Sequence, residues 1–247
     1  MSHYRPDLAF IHDDGFGHLA SAGAAVLIDA LHRRGLTAGT VLDLGCGGGI
    51  TARMLTDRGY SVAGVDLSES LIEMARQKVP EATFHVGSFV EMDVAPCVAI
   101  CAIGEVLNYT FDSRSNSATR RALLERAFRA LAAGGVLLFD VAGPDRAPDR
   151  PARTFMEGRG WTVLVETSAE PGVLTRRIVT FRQSGSLYRR DIEVHRLQLI
   201  APDEIESELH AIGFELERLS GYGAHRFAPG LHGFLACRPP GVVQAGA

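Results

Sequence analysis

Short, continuous apolar runs recur through the middle of the chain at 41–44, 61–67, 82–86, 97–103 and 136–142. Between them the apolar residues return at helical spacing. Runs of this kind, alternating with helices, predict a parallel sheet buried on both faces. The predicted helices are well punctuated. One spans 50–58 and ends at Gly59; the next is capped by Ser68, turns Leu71, Ile72 and Ala75 inward and stops at Pro80; a third runs over 117–132 and breaks at Gly134 and Gly135. A proline-led helix from Pro202, with Ile205, Leu209 and Ile212 inward, and two strands at 214–222 and 231–238 close the pattern.

Two stretches depart from it. Residues 1–20 mix three histidines, two glycines and the paired acids Asp13 and Asp14 with Phe10, Ile11 and Phe16, too irregular for a core strand. They read either as a solvated leader or as a cap folded over a ligand, and the segment 12–17 favours the cap. A helix over 21–35 follows, with Ala25, Leu27, Ile28 and Leu31 on one side, stopped by Gly35. After Gly143 comes a proline- and charge-rich linker at 144–153, then extended segments at 161–167, 174–181 and 187–200, joined by turn sequences at 169–172 and 183–186. These three predict an antiparallel meander. The chain therefore divides into a cap (1–35), an α/β core (36–143 and 201–238), an antiparallel insertion (144–200) and a tail (239–247).

Composition narrows the class without deciding it. A chain of 247 residues with 46% hydrophobic and 22% charged residues is that of an ordinary globular α/β protein. A formal charge of −4 gives no general attraction to nucleic acid or anionic lipid. Cys46, Cys97, Cys101 and Cys237 make no metal-binding or paired spacing and read as reduced thiols, the two at 97 and 101 on one buried strand face. No apolar run is long enough to span a bilayer and 1–10 lacks the apolar centre of a signal peptide, so a cytoplasmic protein is expected, with no nucleic-acid or membrane partner and a monomeric or homodimeric state.

The chemistry concentrates at 41–50. A strand carrying Asp43 runs into a turn with glycines at 45, 47, 48 and 49, which lets backbone approach a ligand at the carboxyl end of a first strand. A dinucleotide fingerprint would need Gly or Ala where this chain has Ile50. The acid at 43 suits a cationic ligand better than a pyrophosphate. The pattern Asp-x-Gly-x-Gly-x-Gly from Asp43 to Gly49 resembles motif I of the class I S-adenosylmethionine-dependent methyltransferases, small-molecule type, and the likeness extends over roughly 36–142 and again over the closing helix and strand pair.

That resemblance implies a doubly wound, Rossmann-like sheet of seven strands, the last antiparallel, with the insertion folded over the active site. It implies S-adenosyl-L-methionine as cofactor and methyl transfer to a nitrogen or oxygen of a small-molecule acceptor by in-line displacement. Asp43, Gly45, Cys46 and Gly47 would face the methionine and ribose, Asp66 the ribose hydroxyls and Leu67 the adenine; Ser88 and Phe89 would meet the adenine edge, and Ile103 lies at the end of the fourth strand. A non-methylating use of the cofactor, such as its cyclisation, and a non-catalytic regulatory subunit are the alternatives.

Beyond the cofactor, Glu105 is either a structural carboxylate or an amine anchor or general base. His12 and His195 are candidates for taking a proton, since imidazole titrates near neutrality. Structural roles compete for both; His225 and His232 flank the final strands. Asn108 and Tyr109 at the strand end, with Trp161 and Tyr222, are candidate acceptor walls. The meander arginines 176, 177, 182, 189, 190 and 196 form either a solvated face or a fork for an anionic substrate. No metal ligand set is expected.

Overall fold

The computed structural model describes residues 3–90, 92 and 94–240. Two helices lead the chain, α1 (Pro6–Gly15) and α2 (His18–Arg33). The core then alternates β1 (Thr40–Leu44), α3 (Ile50–Thr56), β2 (Ser61–Asp66), α4 (Glu69–Lys78), β3 (Thr83–Val86), β4 (Cys97–Ala102), α5 (Ser117–Ala130) and β5 (Leu131–Ala142). The insertion contributes β6 (Ala152–Gly158), β7 (Trp161–Glu170), β8 (Val173–Ser184) and β9 (Leu187–Gln198). It is followed by α6 (Pro202–Ile212), β10 (Glu215–Leu219), the two-residue pair β11 (Gly221–Tyr222) and β12 (His225–Arg226), and β13 (Leu231–Cys237).

The main sheet has seven strands in the order β10-β13-β5-β4-β1-β2-β3. Its inner strands pair in parallel, while β13 runs antiparallel to both β5 and β10. Because β1 lies between β2 and β4, the connections leaving β1 and β4 diverge to opposite sides and open a crevice at their carboxyl ends. Two apolar clusters cover the sheet faces: Leu27, Leu55 and Ile72 anchor α2, α3 and α4 on one, and Leu124, Ile205 and Leu209 anchor α5 and α6 on the other.

Three elements differ from the sequence expectation. The irregular leader is helical: Pro6 opens α1, and Leu8, Ala9 and Ile11 are buried together with Asp7. A buried acid interrupts the apolar spacing, and this hides the helix from a periodicity reading. The second helix begins at His18 rather than 21. The meander has four strands, not three, because β6 occupies the end of the linker and the residues beyond it; every one of its residues is exposed, so it carries no buried alternation to detect. The expected tail lies outside the described residues from 241 onward.

The insertion folds back over the crevice. A third apolar cluster, Leu8 and Ile11 with Trp161, Val163 and Ile178, joins α1 to the inner face of the four-stranded sheet.

Candidate active site

A cleft lies at the carboxyl ends of β1, β2 and β4, where ligands of open α/β sheets bind. Its floor includes Gly45, Gly47, Asp66, Leu67, Ser88, Phe89 and Ile103. The β1 turn owes its shape to left-handed backbone at Gly45, Gly47 and Gly49. At Gly47, a side chain would project into open space on the cleft side. At Gly48 the need is different: an added Cβ would meet the Asp13 carboxylate at 2.2 Å, so the turn and the end of α1 touch there. Asp13 also receives the Lys78 ammonium at 2.6 Å, which ties α1 to α4.

Asp66 closes the floor. Its carboxylate accepts the Gly47 N–H at 3.0 Å and the Ser68 N–H at 2.8 Å, one on each oxygen, and each oxygen keeps a lone pair for a further donor. Burial pushes its pKa above the ordinary value, against the backbone donors that stabilise the charged form. Asp43 lies beneath the turn and outside the cleft lining. Its Oδ1 accepts the Cys101 thiol at 3.4 Å, while Oδ2 is buried without a partner. Burial drives this carboxyl up to about 7. Cys46 is likewise buried under the turn, against Gly64, and does not line the cleft.

The roof comes from the N-terminal segment with α1 and from the segment that follows β4. His3, Tyr4, His12, Phe16, Tyr109 and Phe111 line the cleft. Tyr4 and Tyr109 join through their hydroxyls at 3.1 Å, and Phe111 stacks on Tyr109 with ring centroids 4.7 Å apart. Burial lowers His12 to about 4, so its imidazole is neutral near pH 7 and keeps one ring nitrogen able to accept a hydrogen bond. His195 is fully buried behind this wall. Its Nε2 lies 2.9 Å from Glu193 Oε2, and its ring sits 4.9 Å from those of Tyr4 and Phe111. Glu193 in turn accepts the backbone N–H groups of Tyr4 and Arg5, both at 2.8 Å. His3, Glu193 and His195 bring three ligand-type atoms within 4.8 Å of one another, but the glutamate is already occupied by these bonds.

Glu105 sits beside the cleft as a buried ion-pair centre. Arg176 reaches both of its oxygens, at 2.6 and 3.0 Å, and Arg146 adds a contact at 3.1 Å. Burial raises its pKa, but the two guanidiniums outweigh burial and hold it below the usual carboxylate value. Tyr4 and Glu105 are the two non-glycine residues with left-handed backbone among those described. Each is pinned by others: Tyr4 by Glu193 and by Ser68 Oγ donating to its carbonyl, Glu105 by Asp140 accepting its N–H at 2.6 Å. Strain held in place this way marks a site whose geometry matters.

The remaining sequence candidates stand back from the cleft. Asn108 is buried and spans the Ala142 amide group and the Gln198 carbonyl, stitching β5 to β9. Trp161 donates its indole N–H to Asp14 at 2.7 Å under the cap. Tyr222 is buried and donates to Asp140 at 2.9 Å. His225 rings with His18, and His232 meets Asp145 near the surface. The meander arginines divide by face. Arg176 serves Glu105, and Arg182 and Arg189 both serve Asp7; Arg177, Arg190 and Arg196 are exposed.

A family model described as a methyltransferase domain matches residues 41–135, the stretch that holds the glycine turn, Asp66 and the end of β4. A dTDP-3-amino-3,4,6-trideoxy-alpha-D-glucopyranose N,N-dimethyltransferase of Streptomyces venezuelae is 28% identical over 234 residues, covering 88% of this chain and 94% of its own length. Residues 41–135 are a methyltransferase domain of the class I S-adenosylmethionine-dependent kind. Solved members share the fold end to end. A methyltransferase of Clostridium acetobutylicum aligns with a TM-score of 0.80 at 17% identity, covering 94% of this chain and 97% of that one. An amino pentose methyltransferase of Micromonospora echinaspora, solved with S-adenosylmethionine bound, aligns at 0.74 and 22%, covering 92% and 94%.

The residues present suit this methyltransferase's cofactor. The open face of Gly47 leaves room against the backbone, and Asp66 has the free lone pairs that a pair of hydroxyls requires, while the orphaned Asp43 oxygen places a carboxyl just below that turn. Sequence reasoning reached Phe16 only as part of the cap and missed Tyr4 and Phe111 in the lining, and Asp140, which orients the loop after β4. Only Asp140 left a signal, as a lone acid within the apolar run 136–142.

Proposed function

We propose that this methyltransferase acts on the amine nitrogen of a small amino sugar or comparable polyhydroxylated amine. The observation that carries the reading is the roof wall of Tyr4, Tyr109 and Phe111 beside the neutral His12, at a cleft whose neighbouring inner-face arginines are already paired with acids. Aromatic faces and phenolic oxygens suit an amine and sugar hydroxyls, whereas an acceptor that is anionic at its reacting end would need a free guanidinium there. Three amino-sugar N,N-dimethyltransferases, from Streptomyces venezuelae, Saccharopolyspora spinosa and Streptomyces fradiae, align over most of the chain at 28–29% identity and support the same class.

In this reading Asp66 holds the ribose hydroxyls, Leu67, Ser88 and Phe89 border the adenine, and Ile103 packs beside the reacting end. Asp43, beneath the Gly45–Gly47 turn, balances the positive methionine end. Bound S-adenosylmethionine supplies a methyl already activated by its sulfonium. The protein's task is alignment and exclusion of water. His12 accepts a hydrogen bond from the acceptor's N–H and so aims the nitrogen lone pair. The Tyr4 and Tyr109 hydroxyls hold the neighbouring acceptor oxygens, Glu105 steadies Tyr109 through Arg176, and His195 with Glu193 fixes Tyr4. Trp161, Asn108 and Tyr222 act on the chamber's shape from behind it. A cytoplasmic setting is in keeping with four cysteines that are all buried and unpaired.

The test is a product assay with S-adenosylmethionine and a panel of nucleotide-linked amino sugars, each matched to its hydroxyl analogue, read by mass spectrometry. Addition of one or two methyl groups to the amines alone is expected. Methylation of the hydroxyl analogues in preference to the amines overturns the proposal.

A further inference from the structure

Tyr4 is the point where the roof meets the floor. Its left-handed backbone, with a φ of 49°, is unfavourable for a residue that carries a side chain, and it persists because the peptide groups on both sides are held. The two holds come from different parts of the chain. Glu193, on β9, accepts the Tyr4 N–H at 2.8 Å, and Ser68 Oγ, at the start of α4, donates to the Tyr4 carbonyl at 2.8 Å. With both in place the phenol stands in the roof wall, its hydroxyl 3.1 Å from that of Tyr109.

Ser68 is buried, and its polar atoms face three ways. Its N–H goes to Asp66 Oδ1 at 2.8 Å, and its Oγ accepts the Leu71 N–H at 3.2 Å as the N-cap of α4. A hydroxyl has one hydrogen to give, and here it goes to Tyr4. Contacts therefore run without a break from the Asp66 carboxylate through residue 68 to the backbone of Tyr4. A separate tie lies at the opposite end of α4, where Lys78 meets Asp13 at 2.6 Å. That contact holds the end of α1 down whatever happens at Ser68.

We propose that Ser68 is a positioning residue that couples the two halves of the site, so that cofactor engaged by Asp66 firms the hold on Tyr4 in the acceptor wall. The inference rests on the reading of Asp66 as the group that holds the ribose hydroxyls. Two hydroxyls would give each Asp66 oxygen a second donor and fix the carboxylate, and with it the Ser68 amide that sits on Oδ1. The direction of Oγ follows, because the same oxygen must still face the Leu71 N–H. Tyr4 is strained, so a firmer grip on its carbonyl shifts it further toward the conformation that presents the phenol. Coupling of this kind is reciprocal. An acceptor seated against Tyr4 tightens the cofactor by the same factor.

The test is hydrogen exchange on the full chain, read by mass spectrometry over residues 3–15 with and without saturating S-adenosylhomocysteine, the probe for the cofactor site. In wild type the probe should slow exchange there about tenfold. Ser68→Gly removes the hydroxyl and keeps the backbone N–H on Asp66, and glycine is tolerated at an N-cap at little cost. By calorimetry the variant should bind the probe within about fivefold of wild type, while the probe slows its exchange over 3–15 by less than about threefold. Protection through direct cover would survive the substitution, so the comparison separates contact from coupling. An absence of slowing in wild type, slowing of threefold or more in Ser68→Gly, or a loss of probe affinity beyond about fivefold, which would make Ser68 part of the floor itself, overturns the proposal. Asp66→Asn keeps two failures apart. If it binds the probe as tightly as wild type, the reading of Asp66 as the ribose holder falls and the proposal with it; if it binds more weakly, a failed Ser68→Gly result counts against Ser68 alone.

Discussion

Below the cleft, the β1 turn keeps its form through backbone: left-handed glycines, two N–H groups on Asp66 and an apolar strand that paired neighbours hold on both sides. Above it, the cap is held by side-chain charge. Arg5 grips Asp191, Asp7 receives Arg182 and Arg189, and Glu105 holds Arg176 and Arg146. The floor is rigid by conformation, while the roof depends on pairings that single substitutions can undo. This teaches where each kind of mutation will register: floor changes in cofactor affinity, roof changes in acceptor turnover and in stability.

The largest effect should come from the roof's buried centre. Glu105→Gln leaves Arg176 charged and buried without its partner, and a cost of about 3–5 kcal/mol in unfolding free energy is expected by urea denaturation. A loss under about 1 kcal/mol would mean that the pair is not a structural keystone. On the floor, Asp66→Asn, which keeps one oxygen for the backbone N–H groups, should weaken S-adenosylmethionine binding by about 30- to 150-fold, in line with about 2–3 kcal/mol for charged hydrogen bonds, with a smaller loss of stability in the free protein. Calorimetric titration reads this directly, and equal losses in affinity and stability would erase the distinction drawn here.

A pH-dependent effect belongs to Asp43. Its carboxyl is raised to about 7 in the fold against roughly 4 in the unfolded chain, so the fold favours the protonated form. Its contribution is therefore present below about pH 4 and fades as pH rises toward 7, with a slope of at most ~1.4 kcal/mol per unit. His12, lowered to about 4, works the other way, adding stability as pH rises from about 4 to 6.5. Comparing wild type with Asp43→Asn isolates the first slope. Without cofactor, wild type should lose stability relative to the variant across pH 4–7 and keep that deficit, with no further slope, above it.

The smallest effect is expected at Asp7→Asn, which loosens the α1 contact with two partly exposed arginines. Acceptor kcat/KM should fall a few-fold, with cofactor affinity unchanged, since such pairs contribute about 1 kcal/mol or less. A drop in cofactor affinity equal to the drop in kcat/KM would assign the cap to the floor's business instead.

The same contrast explains what could be read in the sequence. The floor's determinants lie close together, Asp43 to Gly49 with Asp66 one strand later, so spacing alone reveals them, and the sheet order and antiparallel last strand follow from the resemblance they carry. The roof is assembled from distant partners. Arg5 and Asp191 are 186 positions apart and Asp7 and Arg189 are 182 apart, distances over which no periodicity operates. Tyr4 enters the cleft only because Glu193 and Ser68 hold its backbone, and nothing in residues 1–20 foretells that. Glu105 illustrates the half-legible case: its place at a strand end is visible, but the two arginines that keep it charged come from the insertion and the loop before it. Arginine faces were readable in outline, since alternation sorts Arg176 from Arg177, though not which acid awaits each.

Position 48 belongs to both halves. Gly47 looks into the ligand space, but Gly48 faces the Asp13 carboxylate with no room for a methyl. Any side chain there has to push the Asp13 carboxylate aside, and with it the Lys78 contact that ties α1 to α4, while the cofactor's own side of the turn stays open. The conformational freedom of glycine is the lesser reason for that residue. Its missing side chain is the clearance in which α1 sits.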